Sequence, residues 1–207
     1  MQKSYVDYSD CKCGISGSKK GVSGVRFNLS PMSDDYIDII LGALDKVDRS
    51  KVWSATDPTS TVYRSDRSAI FDCIKAFYKA AYRPGVHMNL NATFSKGCPG
   101  DTDADYTLNE KNYRVNEEKF KDIHFDISGK FALYIFGENS YMKEIETVVN
   151  MGVDRNVIGG TGHYTTFLKG DVDDIFSYLE DVFAYLEDRV SHFVIETSLL
   201  INLPEEE

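Results

Sequence analysis

Two stretches decide the fold, HMNLNATFS at 87–95 and HFVIETSLL at 192–200. They lie 105 residues apart (192 minus 87), and in both of them apolar residues largely alternate with polar ones. Alternation with period two is typical of a β-strand that buries one face. RSDRSAIF at 64–71 and KGDVDDIF at 169–176 keep the same separation. Several blocks that recur at one spacing predict that the chain contains the same module twice.

Each copy has the same order of periodicities. VRFNLSPM at 25–32 and KFALYIF at 130–136 alternate like strands. A helical pattern follows at 34–47, then hairpin patterns at 51–64 and 156–169, and longer helical patterns at 66–82 and 171–189. A last strand ends each copy. This βαββαβ order, present twice, predicts an α+β fold made of a tandem repeat of two ferredoxin-like modules.

The spacing also sets the expected boundaries. Phe27 and Phe131 are only 104 apart, so one inserted residue is expected near Asn139 in the second copy. We expect a flexible tail at 1–22, the first repeat at 23–96, a connector at 97–128, the second repeat at 129–203 and a short tail at 204–207. FSKGCPGDTDADY at 94–106 opens the connector. It has no helix directly behind it, so an ordered linker is favoured over a phosphate-binding loop.

Period two assigns the side chains of each strand to opposite faces of the sheet. In the first and last strands the apolar set is expected to face the helices, and the other set is mostly polar and uncharged. The residues expected on this second face are Arg26, Asn28, Ser30, His87, Asn89, Asn91, Thr93, Ala132, Tyr134, His192, Val194, Glu196 and Ser198. A polar face that becomes covered needs hydrogen-bond partners for its donors and acceptors.

Two interpretations of the polar face stay open. Sheets from one chain or from two chains can stack and satisfy one another. Alternatively the face forms a pocket for a small heteroaromatic ligand, with Tyr134 or Tyr164 stacking on the ring. Glu196 is the most informative residue in either case, because a buried carboxylate requires Arg26, a histidine or a basic ligand as its partner.

Composition excludes several classes of function. The net charge of -10, without a basic block, argues against nucleic-acid binding. No apolar run approaches the roughly 20 residues that cross a bilayer and no signal peptide is recognisable, so a cytoplasmic protein without membrane insertion is expected. The four cysteines and four histidines lack metal-ligand spacing, and no nucleophile, base and orienting group form a set. We therefore expect no cofactor, no metal and no catalysis.

Several motifs resemble those of one known family. GVRFNLSPMSDDYI, SKVWSATDPTSTVYR, NATFSKGCPGDT, YRVNEE, FALY and GHYTT occur in the order and with nearly the spacing found in the YkoF family of thiamin and hydroxymethylpyrimidine binding proteins. The resemblance spans roughly 24–202. It implies two ACT-like ferredoxin modules, a cytoplasmic homodimer, binding of thiamin or its pyrimidine moiety, and a link to an uptake system for that precursor.

The same resemblance implies a set of ligand-binding residues, to which the open-face argument adds Glu196. They are Asn28, Leu29 (through its backbone), Ser30 and Thr61 in the first copy, and Leu133, Tyr134, Thr165 and Thr166 in the second. The family tends to carry Tyr-Pro-Met after the first strand of each copy. Here Ser30 replaces the tyrosine, while Ile135 and Phe136 replace Pro-Met, so either the two sites are expected to differ in affinity or one of them is expected to be vestigial.

Two rival functions remain. An ACT-like regulatory module would use the polar faces only for dimerisation or for a partner protein. An enzyme acting on a pyrimidine would need an acid or base in the pocket, and Glu196 is the candidate for that role.

Overall fold

The computed structural model describes residues 22–96, 103–137 and 141–204. The first repeat consists of β1 (Ser23–Pro31), α1 (Tyr36–Lys46), β2 (Trp53–Thr56), β3 (Thr61–Ser65), α2 (Arg67–Ala81) and β4 (Met88–Lys96). A 3-10 turn (Asp105–Asn109) and the short helix α3 (Glu117–Phe120) follow. The second repeat consists of β5 (Asp126–Phe136), α4 (Tyr141–Asp154), β6 (Ile158–Gly162), β7 (Thr165–Asp171), α5 (Val172–Glu187) and β8 (His192–Ile201). The predicted βαββαβ order is confirmed in both copies.

The eight strands of the described ranges form one antiparallel sheet in the order β2-β3-β1-β4-β8-β5-β7-β6. Each repeat has the ferredoxin-like arrangement, and the last strands of the two repeats pair with each other. Ala92 pairs with Thr197, its own equivalent 105 residues later, and the Thr197 hydroxyl donates to the Ala92 carbonyl at 3.1 Å. An approximate two-fold axis therefore passes between these two residues.

The two long helices begin at equivalent residues. The Asp66 carboxylate accepts from the backbone N–H of Ser68, and the Asp171 carboxylate accepts from that of Asp173, both at 2.8 Å. Aspartate at this position satisfies a backbone donor that the helix leaves unpaired and interacts favourably with the helix dipole. The sequence predicted these starts, and α2 and α5 begin one residue after the two aspartates.

One face of the sheet and the four long helices enclose a common core. Val25, Phe27 and Leu29 in β1 are buried, as are Phe193 and Ile195 in β8. Between the repeats, the ring of Phe71 in α2 stacks on that of Phe94 and meets that of Phe183 in α5 edge-on. Because aromatic side chains bury large areas, these contacts tie the two repeats into one unit.

The described part of the connector packs against the first repeat. Asp72 in α2 is 1% exposed, and its Oδ2 accepts from the backbone N–H groups of Val115 and Asn116. The Asn116 side chain also donates to Asp72 and to the Asp48 carbonyl. Burial raises the pKa of Asp72 although these donors oppose the shift. The connector is therefore fixed to the first repeat at Val115 and Asn116 by hydrogen bonds to a buried carboxylate.

The second repeat begins a few residues earlier than the spacing predicts. Strand β5 begins at Asp126 rather than near 129, because Asp126, Ile127 and Ser128 already pair with β7. The pairing registers reproduce an offset of 104 between β1 and β5 and of 105 between β4 and β8. The predicted insertion near Asn139, residues 1–21 of the tail predicted at 1–22 and the glycine-rich segment at 97–102 lie outside the described residues. None of the helices in the described ranges is long and apolar enough to span a bilayer.

Candidate functional site on the open face of the sheet

The face of the sheet opposite the helices carries two parallel rows of side chains across its four central strands, and all of them except Ala132 are polar. Strand pairing aligns the first row as Arg26, Thr93, Glu196 and Ala132, and the second as Asn28, Asn91, Ser198 and Lys130. These residues are exposed or partly exposed, whereas their strand neighbours in β4 and β8 are buried. We call this surface the open face. The face assignment predicted for the first and last strands is confirmed.

Two cavities lie on the open face on either side of the approximate two-fold axis. The repeat 1 cavity has a volume of about 300 Å³ and the repeat 2 cavity one of about 230 Å³. Both are near the lower end of the range for small-molecule pockets. Six positions of one cavity have their equivalent in the other, as the pairs Arg26 and Lys130, Asn28 and Ala132, Ser60 and Thr165, Asn91 and Glu196, Ala92 and Thr197, and Thr93 and Ser198. The duplication has thus preserved the place of the cavity.

The loops give the two cavities different walls. Tyr134, His163 and Tyr164 line the repeat 2 cavity. Their sequence equivalents in repeat 1 are Ser30, Pro58 and Thr59. Tyr164 is 98% exposed and has a φ of 66°, a left-handed conformation that bulky residues rarely adopt. Such strain is concentrated at functional sites, where surrounding structure maintains it.

The corresponding loop of repeat 1 is closed by hydrogen bonds of Asp57. Its Oδ1 accepts from the backbone N–H and the hydroxyl of Thr59 and from the backbone N–H of Ser60, at 2.6 to 3.0 Å. Its Oδ2 forms an ion pair with Arg26 at 2.6 Å. The Thr59 hydroxyl and the Arg26 guanidinium hold the pKa of Asp57 well below its usual range. Arg26 is therefore oriented by this loop.

Glu196 lies where the two cavities meet. It lines both of them and pairs across the sheet with Thr93 on one side and Ala132 on the other. Glu196 is exposed, and the Asn91 amide oxygen next to it accepts from the Ser198 hydroxyl at 2.8 Å. One carboxylate is thus available to a positively charged ligand in either cavity.

The predicted ligand-binding residues fall on both faces of the sheet. Asn28, Tyr134, Thr165 and Glu196 line the cavities. Ser30 is exposed at the end of β1, on the same face. Four others lie on the helix side or pair with residues there: Leu29, Leu133, Thr61 and Thr166.

The position of the two helix-side threonines follows from strand pairing. Thr61 pairs with the buried Phe27, is 7% exposed and shares a hydrogen bond with the Thr56 hydroxyl at 3.1 Å. Thr166 pairs in the same way with Phe131. Thr165, its neighbour in β7, faces the repeat 2 cavity instead and donates to the Phe131 carbonyl at 2.9 Å.

Sequence reasoning did not select several polar residues that line the cavities. They are Lys130, Ser60, Asn91, Thr93, His163 and Ser198. Asn91, Thr93 and Ser198 were already on the predicted polar face, so extending the site along that alternation would have identified them. Ser60 and His163 lie in the hairpin loops, where periodicity gives no information.

One cluster away from the open face has ligand atoms close enough to hold a cation. His124 Nδ1 lies 3.4 Å from a carboxylate oxygen of Asp171 and 3.4 Å from one of Asp173. Lys79 and Lys75 from α2 already contact Asp173, at 2.7 and 3.2 Å. The ammonium groups neutralise that carboxylate, so this cluster is best described as an ion-pair network between the repeats.

Comparison with known proteins agrees with the duplicated architecture. The family model described as "YKOF-related Family" matches residues 22–101 and again 126–206, once per repeat. A protein of Bacillus subtilis (strain 168), named "Putative HMP/thiamine-binding protein YkoF", is 39% identical over 195 residues, which cover 94% of this chain and 96% of that protein. Its name describes binding rather than a reaction. Both the twofold match and this identity over nearly the whole length lead to one assignment: the chain belongs to the YKOF-related family.

Proposed function

We propose that this protein binds thiamin or its hydroxymethylpyrimidine moiety, without catalysis, with one site in each open-face cavity. The observation that carries the proposal is the pair of equivalent polar cavities that meet at Glu196. The name of the Bacillus subtilis relative supports the choice of ligand.

The chemistry of the cavities suits this ligand class. The aminopyrimidine ring is flat and carries donors and acceptors at its edge, which asparagine, serine and threonine side chains can satisfy. Thiamin also carries a permanent positive charge on its thiazolium ring. Glu196 offers a carboxylate to that charge, and Tyr134 offers an aromatic face to either ring.

Two sites of unequal affinity are expected. The repeat 2 cavity has the Tyr134 ring and the Tyr164 turn, whereas repeat 1 has Ser30 and Thr59 at these positions. Because stacking on an aromatic side chain stabilises a bound heterocycle, we expect the repeat 2 site to bind more tightly.

Isothermal titration calorimetry of the full chain with thiamin and with free hydroxymethylpyrimidine tests the proposal. We expect binding of both ligands, and a fit to two sites for thiamin. Glu196→Gln should weaken binding of thiamin by about two- to tenfold, since it removes a charge pair at a partly exposed position. Binding of the uncharged pyrimidine should change less.

Two adjacent threonines provide a matched control. Thr165→Val changes the cavity wall, while Thr166→Val makes the same chemical change on the helix side. Only the first is expected to reduce affinity. If calorimetry detects no heat of binding with either ligand at millimolar concentration, the proposal is wrong and the rival regulatory module is favoured. Conversion of a ligand to product that is lost in Glu196→Gln would favour an enzyme.

We also propose that the protein is a homodimer in the cytoplasm, as the family resemblance implies. The same resemblance implies a link to an uptake system for the thiamin precursor. Exposed aromatic side chains on the open face of repeat 2 support a dimer contact, since Tyr134, Phe136 and Phe167 are each 43 to 50% exposed. Light scattering on the calorimetry sample should give twice the chain mass; the monomer mass would contradict this part.

A further inference from the structure

A third cavity, of about 350 Å³, adjoins the repeat 1 cavity on the open face. We call it the side cavity. Arg26 and Thr93 line both spaces, so the two are neighbours with a common wall. Its remaining open-face lining comes from β2, β3 and the ends of β1 and β4, and includes Trp53, Ala55, Val62, Arg64 and Ser95. The repeat 1 site therefore has room beyond the ring-sized space.

The second residue of β3 differs from its counterpart in repeat 2. Val62 in repeat 1 corresponds to Phe167 in repeat 2. The Phe167 ring lies so close over β6 that a Cβ added at Gly162 would be 2.8 Å from its Cζ. The Phe167 ring thus covers β6, the counterpart of β2, on the open face of repeat 2. In repeat 1 the smaller side chains of Val62 and Ala55 leave the side cavity open over β2.

The side cavity has two guanidinium groups and the Asp57 carboxylate in its walls. Arg64 is 7% exposed and its side chain passes over Gly24, where a Cβ would lie 3.6 Å from Arg64 Cγ. Its guanidinium carbon is 5.8 Å from the centre of the Trp53 ring. Arg26 stands on the wall shared with the repeat 1 cavity, where Asp57 orients it. The hydroxyls of Thr93 and Ser95 add hydrogen-bonding groups on the β4 side of the cavity, where the Ser95 hydroxyl also donates to the Phe193 carbonyl at 3.2 Å.

Arginine pairs and hydroxyl groups are the usual partners of phosphate and carboxylate groups in proteins. We propose that the side cavity receives an anionic substituent of the ligand, specifically a phosphate ester, while the ring of the same ligand occupies the repeat 1 cavity. The inference rests on the proposed function and refines it: repeat 1 is the site for the phosphorylated form, and repeat 2 is the site for the free alcohol.

Calorimetric titration of the full chain with thiamin and with thiamin monophosphate tests this division. In the wild type, one site should bind the phosphate ester at least about tenfold more tightly than it binds the alcohol. Val62→Phe introduces into repeat 1 the ring that repeat 2 carries, and it should abolish this advantage while leaving the alcohol bound. Arg64→Gln should also abolish it, whereas Arg64→Lys should retain part of it because the charge remains.

Phe167→Val in repeat 2 is the matched control and should leave the advantage of the ester at the repeat 1 site unchanged. Thermal unfolding of each variant verifies that the fold is intact. If the ester and the alcohol bind equally well to the wild type, or if the advantage survives both Val62→Phe and Arg64→Gln, the inference is wrong although thiamin binding stands. If neither compound binds, both proposals fail together.

Discussion

The cavities of the two repeats share their strands but not their loops. Six lining positions correspond one to one, because the strand registers of the two copies are the same. The hairpin between the second and third strands differs: repeat 1 closes it with the hydrogen bonds of Asp57, and repeat 2 with a strained turn at Tyr164. Duplication has therefore kept the scaffold of the site, while the loops are free to give each copy its own ligand preference.

The largest expected effect concerns the scaffold rather than the loops. Gly129 in β5 corresponds to Val25 in β1, and a Cβ at Gly129 would lie 2.7 Å from the Ser198 carbonyl oxygen and 3.0 Å from Leu199 Cδ2. Since backbone would have to move, we expect Gly129→Ala to lower the free energy of unfolding by about 1–3 kcal/mol. Urea denaturation measures this change.

Gly24 in β1 serves as the control for that substitution. A Cβ there would make only ordinary contacts, at 3.6 Å from Arg64 Cγ and 3.7 Å from the Tyr63 carbonyl. Gly24→Ala should therefore leave stability nearly unchanged or raise it slightly. Equal destabilisation by the two substitutions would mean that the repeats tolerate change alike and that the close contact at Gly129 is unimportant.

An intermediate effect is expected from exchanging the residues at the end of the first strand. Tyr134→Ser gives repeat 2 the side chain of repeat 1, and we expect it to weaken the tighter thiamin site about tenfold, or by about 1.4 kcal/mol, through lost stacking. Ser30→Tyr is the reciprocal change and should strengthen the weaker site. If calorimetry finds both affinities unchanged in the two variants, the aromatic wall does not distinguish the repeats.

The smallest effect is expected at the loop of repeat 1. The folded-state pKa of Asp57 is depressed below its ordinary value of 3.8. Its ionised form therefore contributes stability that is present above that pH and is lost as the pH falls below it. The difference in free energy of unfolding between the wild type and Asp57→Asn should be largest near neutrality and decline below about pH 4.

Urea denaturation at a series of pH values measures that difference. It should be small throughout, because Arg26 and Asp57 are about half exposed and surface ion pairs contribute little. A difference that grows toward acid pH would contradict the assignment.

The fold could be predicted almost completely from the sequence, since each strand and helix occurs in both copies and its pattern could be identified twice. Asp66 and Asp171 at one spacing gave both helix starts, and alternation in 87–95 and 192–200 gave the buried faces. Pairing between β4 and β8 was not predicted. No local pattern specifies which edge of one module meets the other, because that contact depends on the connector and on packing between α2 and α5.

The candidate site was less accessible to sequence reasoning. A shift of one residue moves a side chain to the other face of a sheet, and the start of a strand after a hairpin cannot be read to that accuracy. For this reason Thr165 and Thr166 looked equivalent in sequence, although only Thr165 borders the cavity. His163 and Tyr164 belong to a turn, where hydrophobic periodicity does not predict which way a side chain faces. The residues of the long, regular strands, Asn28 and Glu196, were within reach.

The position of Glu196 beside the approximate two-fold axis has a thermodynamic consequence. A single carboxylate borders both cavities, so a cation bound on one side reduces the negative charge that a second cation would meet on the other. The two proposed sites would then be linked with negative cooperativity, and by reciprocity each ligand would weaken the other to the same degree. In Glu196→Gln the ratio of the two stepwise binding constants should move toward that of independent sites. Because the counterpart of Glu196 in repeat 1 is the uncharged Asn91, a single carboxylate would make binding in one repeat weaken binding in the other.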